Sequence, residues 1–230
     1  MTNPVPGQRP IRSFVRREGR ITPAQQRALT GLWPDFGLDF SGQHLRPEVI
    51  FGRRAPCHVE IGCGSGDTLV ALAGQHPEND YLGIEVHRPG VGHLLTQLQA
   101  RKLHNVRILR ADAVAVLEYL PAASLDGIHI YFPDPWPKKR HHKRRLLQTA
   151  FLGTLASRLA CQGRLFLATD WQDYADHILE CLQGQAGLVN LAGEGRYSPR
   201  PLWRPLSRYE RRALRLGHEI RNFILTPRAA

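Results

Sequence analysis

From residue 57 to residue 183, short apolar runs alternate with stretches of helical pattern, and this alternation constrains the fold more than any other feature of the chain. The runs 58–61, 81–85, 106–110, 126–132 and 163–168 have strand length, and 67–75, 89–102, 113–120, 143–160 and 171–183 read as helices. Strands separated by helices of this length pair in parallel, so the pattern predicts a doubly wound α/β sheet. Two further runs, near 187–191 and 218–225, are expected to close it as an antiparallel pair. The expectation is a mostly parallel, seven-stranded sheet with an antiparallel last strand. Between those runs, residues 192–217 are rich in Arg, Pro and Gly, too long and polar for a hairpin turn, and read as a functional loop. Upstream, residues 1–30 form a basic arm with arginines at 9, 12, 16, 17, 20 and 27 and one acid, Glu18. Within it, Thr22-Pro23 predicts a cap and first helical residue for a short helix to about Leu29. Residues 31–56 are a connector, and 57–230 form the α/β domain.

The first strand runs into His58-Val59-Glu60-Ile61-Gly62-Cys63-Gly64-Ser65-Gly66-Asp67. Gly62, Gly64 and Gly66 let the backbone turn sharply and lie against a ligand at a helix N-terminus. A dinucleotide fingerprint wants Gly or Ala where Asp67 stands, and its glycine spacing differs. Glu60, two residues before the first glycine, would repel a pyrophosphate and suits a ligand carrying an ammonium or sulfonium. Glu85 ends the second strand, where an acid can accept both ribose hydroxyls. Asp112 follows the third strand and is placed either to accept from an adenine amino group or to cap the next helix. Three acids at the carboxyl ends of successive strands point to one nucleoside site.

The fourth strand leads into Tyr131-Phe132-Pro133-Asp134-Pro135-Trp136-Pro137, followed at once by Lys138, Lys139, Arg140, His141, His142, Lys143, Arg144 and Arg145. Each proline fixes its own φ and biases the residue before it towards extended backbone, so Phe132, Asp134 and Trp136 are expected to be extended. Asp134 is thereby held on a stiff loop. A dense set of cations at the positive end of a helix is locally unfavourable, so the run is read as a binding surface. An acid, an indole and a basic cluster together suit a flat base attached to a polyanion. Trp136, Trp171 and Trp203 are candidates for either base stacking or core packing, with packing the more usual role of a lone Trp. Arg204, Arg208, Arg211, Arg212 and Arg215 are expected to form a second basic patch.

The whole chain agrees with a polyanionic partner. Among 230 residues, 31 Lys and Arg stand against 20 Asp and Glu, giving a net charge of +11, and the cations cluster. The 42% hydrophobic content is enough for a core. Four cysteines, at 57, 63, 161 and 181, form no C-x-x-C pair and no Cys/His spacing typical of zinc, so no metal is expected. No apolar run is long enough for a membrane span, and the N-terminus lacks a secretory signal core. A reducing, cytoplasmic setting is the expectation.

On these residues the chain resembles the S-adenosylmethionine-dependent methyltransferases of the Rossmann-like class. With Phe132-Pro133-Asp134-Pro135-Trp136 and the cations after it, the resemblance narrows to the bacterial tRNA (guanine-N7)-methyltransferases of the TrmB type. Gly83-Ile84-Glu85-Val86-His87-Arg88-Pro89-Gly90-Val91-Gly92, Ala168-Thr169-Asp170-Trp171, Arg12-Ser13-Phe14-Val15-Arg16-Arg17 and Arg204-Pro205-Leu206-Ser207-Arg208-Tyr209-Glu210 are similar to that family as well. The resemblance implies S-adenosyl-L-methionine as cofactor, held by Glu60, Gly62, Gly64, Gly66, Glu85, Asp112 and Asp134, with Asp134 also the catalytic residue. It implies that Lys138, Asp170, Ser207, Arg208, Tyr209 and Glu210 bind the target nucleoside, and that Arg140, His141, His142, Lys143, Arg144 and Arg145 contact RNA. Ser207 stands where many members have Thr; the hydroxyl is kept. The implied product is 7-methylguanosine at position 46 in the variable loop of tRNA. Either a monomer or a homodimer fits.

Guanine N7 offers an in-plane lone pair and has no proton to lose, so no strong general base is required. Alignment and electrostatics carry such a reaction. Asp134 and Asp170 are the acceptors expected to stabilise a purine that turns cationic. An amino-methyltransferase is the second reading, weakened because Asp134-Pro135-Trp136 lacks a second consecutive proline. A small-molecule methyltransferase would not need three basic segments, a plain RNA-binding module would not need the acid and glycine set, and the glycine spacing disfavours a nicotinamide oxidoreductase.

Overall fold

A computed structural model describes residues 13–14 and 19–228. The arginines at 9, 12, 16 and 17, with most of the expected basic arm, lie outside the described residues. The first helix, α1 (Pro23–Gly31), starts where Thr22-Pro23 predicts. The Thr22 hydroxyl accepts from the Gln25 amide at 3.2 Å, and the Gln25 side chain accepts from the Thr22 amide at 2.8 Å, a reciprocal cap. The connector holds two short helices, α2 (Trp33–Phe36) and α3 (Pro47–Phe51), and a two-residue strand, β1 (Gly37–Leu38).

The alternation then runs β2 (Cys57–Ile61), α4 (Asp67–Gln75), β3 (Asp80–Ile84), α5 (Arg88–Ala100), β4 (Val106–Leu109), α6 (Ala113–Glu118), β5 (Leu125–Tyr131), α7 (Thr149–Arg158), β6 (Leu159–Thr169) and α8 (Gln172–Gln183). It closes with β7 (Leu188–Asn190), α9 (Arg208–Arg215) and β8 (Arg221–Pro227). The sheet order is β1-β4-β3-β2-β5-β6-β8-β7. All pairs are parallel except those of β8, which lies antiparallel to both β6 and β7.

Three expectations need correction. The sheet has eight strands, not seven, because Gly37 and Leu38 pair with Ile108 and Leu109 and add an edge strand from the connector. Two residues carry too little periodicity to mark a strand in sequence. The expected helix over 143–160 is in fact a 3-10 turn at Lys139–Arg144, an extended step, and then α7 from Thr149. Arg145 leaves the helical region at ψ 132°, and Gln148 is extended at ψ 158°. The basic run is thereby kept off the positive end of an α-helix. The segment 192–217 is not wholly a loop, since α9 forms within it, capped by Ser207.

Side chains alternate across each strand, so the sheet carries two cores. Tyr81 and Ile108 pack with Leu69, Leu94 and Leu98 of α4 and α5 on one face. Val59, Leu82, Leu109, Ile128 and Leu165 pack with α6, α7 and α8 on the other. In a doubly wound sheet ligands bind at the carboxyl ends of the strands, where the order reverses. Here that point lies between β2 and β5, which are adjacent in the sheet but far apart in sequence.

Candidate active site

A cleft of about 470 Å³ opens at that point. It is lined by the glycine loop after β2, the ends of β3 and β5, the start of α6, and Ser207 and Tyr209 at the start of α9. Gly62, Gly64, Glu60, Glu85, Asp112 and Asp134 all reach it, as do Ser13 and Phe14 from the N-terminal segment.

Gly66 sits at φ +82°, and a β-carbon there would stand 2.2 Å from Leu94 Cδ1. A second close approach comes from Gly90 at the start of α5, where a β-carbon would stand 2.8 Å from the Gly64 carbonyl oxygen. Glu85 stitches the same region together. Its carboxylate accepts from the amides of Gly64 at 2.7 Å, Val86 at 2.8 Å and His87 at 2.8 Å. Glu85 therefore shapes the glycine loop as well as facing the cleft. Asp112 also has two aspects: it caps α6 by accepting from the Val114 amide at 3.1 Å, and it lines the cleft.

Glu60 differs from both. It is 5% exposed, and its Oε2 has no hydrogen-bond partner. Burial pushes its carboxyl up to about 8, with the charges of Glu85 and Asp67 adding to the rise and Arg204 opposing it. A buried acceptor in a cleft, short of a partner and crowded by other acids, calls for a cationic donor. The ammonium of an amino-acid moiety satisfies it, so these residues fit S-adenosylmethionine.

At the lip, the proline-rich loop departs from expectation. Phe132 and Trp136 are at φ +53° and +48°, not extended, although each precedes a proline. Left-handed backbone at bulky residues costs on the order of 1–3 kcal/mol each and persists only where surroundings impose it. Here the Phe132 amide donates to Ala168 at 2.8 Å, and the Trp136 indole donates to the Ser13 carbonyl at 3.2 Å. Trp136 is also covered by Arg144, 5.0 Å from its ring centre, and met edge-on by His141. Its indole thus pins the loop to the N-terminal segment. Asp134, between the two strained residues, is exposed at the cleft edge.

The basic run divides. Lys138, Arg140, Lys143 and Arg144 are exposed, whereas Arg145 is 2% exposed. Arg145 donates to the Pro135 carbonyl at 3.0 Å, to the Asp173 carbonyl at 3.2 Å and to the Asp173 carboxylate, with its guanidinium over Tyr174. It is a tether of the proline-rich loop and not an RNA-facing cation. His142 lies against Arg145, 3.1 Å from its Nη2, and 3.5 Å from Asp173. Slight desolvation and the surrounding cations hold His141 below the ordinary histidine range.

Glu210 is fully buried too. It accepts from Arg200 and Arg204, each at 2.8 Å, so it anchors α9 from beneath and stands outside the cleft lining. Arg204 is likewise buried and leaves the second basic patch. Arg208, Arg211, Arg212 and Arg215 remain exposed. Ser207 and Tyr209 line the cleft; Lys138 and Asp170 stand outside its lining, and Asp170 lies 3.3 Å from His218 Nδ1. Trp203 packs edge-on to Phe166 and His129. Sequence reasoning missed Ser13 and Phe14 as cleft residues; their place in the Arg12–Arg17 segment that resembles the family was the one available signal.

A model of a family described as putative methyltransferases matches residues 54–223. The chain is 56% identical to a tRNA (guanine-N(7)-)-methyltransferase of Alkalilimnicola ehrlichii over 93% of its own length and 91% of the relative's. This chain belongs to that family. A second member, from Nitrosospira multiformis, is 53% identical over 92% of each chain. Among solved structures, the 16S rRNA methyltransferase KamB superposes with a TM-score of 0.54 at 15% identity, covering 80% of this chain and 92% of that one, a likeness of fold. A methyltransferase on a mostly parallel Rossmann-like sheet therefore stands on the family match and the architecture together. Among the described residues, no helix is long and apolar enough to cross a membrane, and no cluster of His, Cys, Asp or Glu could hold a metal.

Proposed function

We propose that this protein methylates N7 of guanosine 46 in the variable loop of tRNA, using S-adenosyl-L-methionine, and works in the cytoplasm. The observation that carries the reading is the cleft itself: an unsatisfied buried Glu60, the Glu85-braced glycine loop and Asp112 in its lining, with Asp134 at its lip. Bound there, the cofactor supplies an electrophilic methyl on a sulfonium. Glu60 holds the ammonium end, Glu85 accepts from the ribose and Asp112 from the adenine. Asp134 accepts from the guanine ring and strengthens that bond as the ring becomes cationic, which favours the transition state over the ground state. Tyr209 and Ser207, which line the same cleft as Asp134, receive the base, while Lys138 and Asp170 guide it from outside. Arg140, Lys143 and Arg144, with the exposed face of α9, meet phosphates.

The test is transfer of labelled methyl from S-adenosylmethionine to unmodified tRNA, followed by nucleoside analysis and mapping. 7-Methylguanosine at position 46 is expected. A methylated exocyclic amine, or cofactor binding with no label in tRNA, overturns the reading.

A further inference from the structure

Among the described residues, three buried side-chain atoms have no hydrogen-bond partner: Glu60 Oε2, Arg204 Nε and Glu210 Oε2. All three belong to one electrostatically linked cluster beneath the cleft, with Tyr131 common to it. A buried polar group normally finds partners, so three such atoms gathered in one cluster single out this place in the fold.

Arg204 lies at its centre and touches three separate pieces of chain. Its Nη2 donates to Glu210 Oε1 at 2.8 Å and to Asn222 Oδ1 of β8 at 3.0 Å. Its guanidinium carbon lies 4.8 Å from the ring centre of Tyr131 and 5.9 Å from that of Phe132. Glu210 belongs to the first turn of α9, whose cap is Ser207. Phe132 immediately precedes Pro133 and Asp134. One planar cation therefore joins the lip bearing Asp134 to the lip bearing Ser207 and Tyr209, with β8 as the fixed reference.

We propose that Arg204 is a positioning residue for methyl transfer: it sets the separation of the two lips that hold the guanine. The proposal deepens the reading of the cleft given above and rests on it. Lysine keeps the charge but cannot stack flat on Tyr131 while spanning Glu210 and Asn222, so the role belongs to the guanidinium plane. Misplacement of reacting groups by about 1 Å costs on the order of 10²-fold in rate.

The experiment compares wild type, Arg204→Lys and Arg204→Met. Single-turnover methyl transfer to tRNA, S-adenosylhomocysteine affinity by calorimetry, melting temperature and amide exchange over residues 205–210 are measured on each. Arg204→Lys is expected to slow transfer about 10²-fold, to leave affinity for S-adenosylhomocysteine within about threefold, and to quicken exchange over 205–210 while β5 stays protected. Arg204→Met is expected to go further in the same direction; if it fails to fold, Arg204→Lys decides alone. A wild-type rate in Arg204→Lys overturns the proposal. So does a loss of rate that merely follows loss of S-adenosylhomocysteine binding or of melting temperature. Failure of the functional reading would appear separately, as absence of transfer by wild type, while exchange over 205–210 still reports whether Arg204 seats that lip.

Discussion

With Glu60 holding the cofactor's ammonium as proposed, cofactor binding is expected to release a proton. Its carboxyl is pushed up to about 8, so at pH 7 roughly nine in ten molecules without ligand hold it protonated. An ammonium binds the ionised form, so each binding event near neutral pH expels about one proton. Restoring the charge costs on the order of 1 kcal/mol at pH 7 and about 3 at pH 6. The gain ends near pH 8, where the carboxyl ionises without help from a ligand. Affinity for S-adenosylhomocysteine is expected to rise about tenfold from pH 6 to 7 and to level off near pH 8. Calorimetry at pH 6.5 in two buffers of different ionisation enthalpy should reveal release of close to one proton, and Glu60→Gln should abolish it. The variant should also bind about 10–100-fold more weakly at pH 8, having lost a charge-assisted bond. Stability moves the other way. The folded carboxyl sits above its unfolded value of 4.5, so its contribution is complete below about pH 4.5 and is lost as pH rises towards 8. Without ligand, Glu60→Gln should therefore be the more stable protein at pH 7, by on the order of 3 kcal/mol. Binding with no proton release at pH 6.5, together with a pH-independent affinity, would refute the reasoning.

Further expectations concern single positions. Asp134→Ala should lower the single-turnover rate at saturating cofactor by on the order of 10²–10³, and a rate near wild type removes Asp134 from the chemistry. Arg145→Ala should destabilise the protein by about 2–4 kcal/mol in denaturant unfolding, because the Pro135 carbonyl loses its buried donor. Lys143→Ala and Arg144→Ala should leave stability nearly unchanged but reduce the salt dependence of tRNA binding by up to about one counterion each, as titrations at several salt concentrations would report. Gly90→Ala should cost about 1–3 kcal/mol and weaken cofactor binding, since its β-carbon would press on the Gly64 carbonyl; an unaltered melting temperature would show that the loop yields.

What the sequence determined by itself was everything written in short-range pattern. Apolar runs of strand length gave β2 to β6, because a strand buried on both faces must be apolar throughout. Glycine spacing and the acids at strand ends located the cleft, since a doubly wound sheet binds ligands at its carboxyl edge. Thr22-Pro23 placed a cap whose bonds are all local. Tertiary structure decided what depends on contacts between distant residues. β1 exists only because β4 offers it an edge. Phe132 and Trp136 take left-handed backbone against the bias of the prolines after them, because Ala168 and Ser13 hold them there. Arg145, Arg204 and Glu210 look like members of charged surface runs, yet each is buried by a partner 28, 18 or 10 residues away. Charge is legible in a residue's identity, but the side of the surface on which that charge lies is set by packing and by the partner that makes burial tolerable.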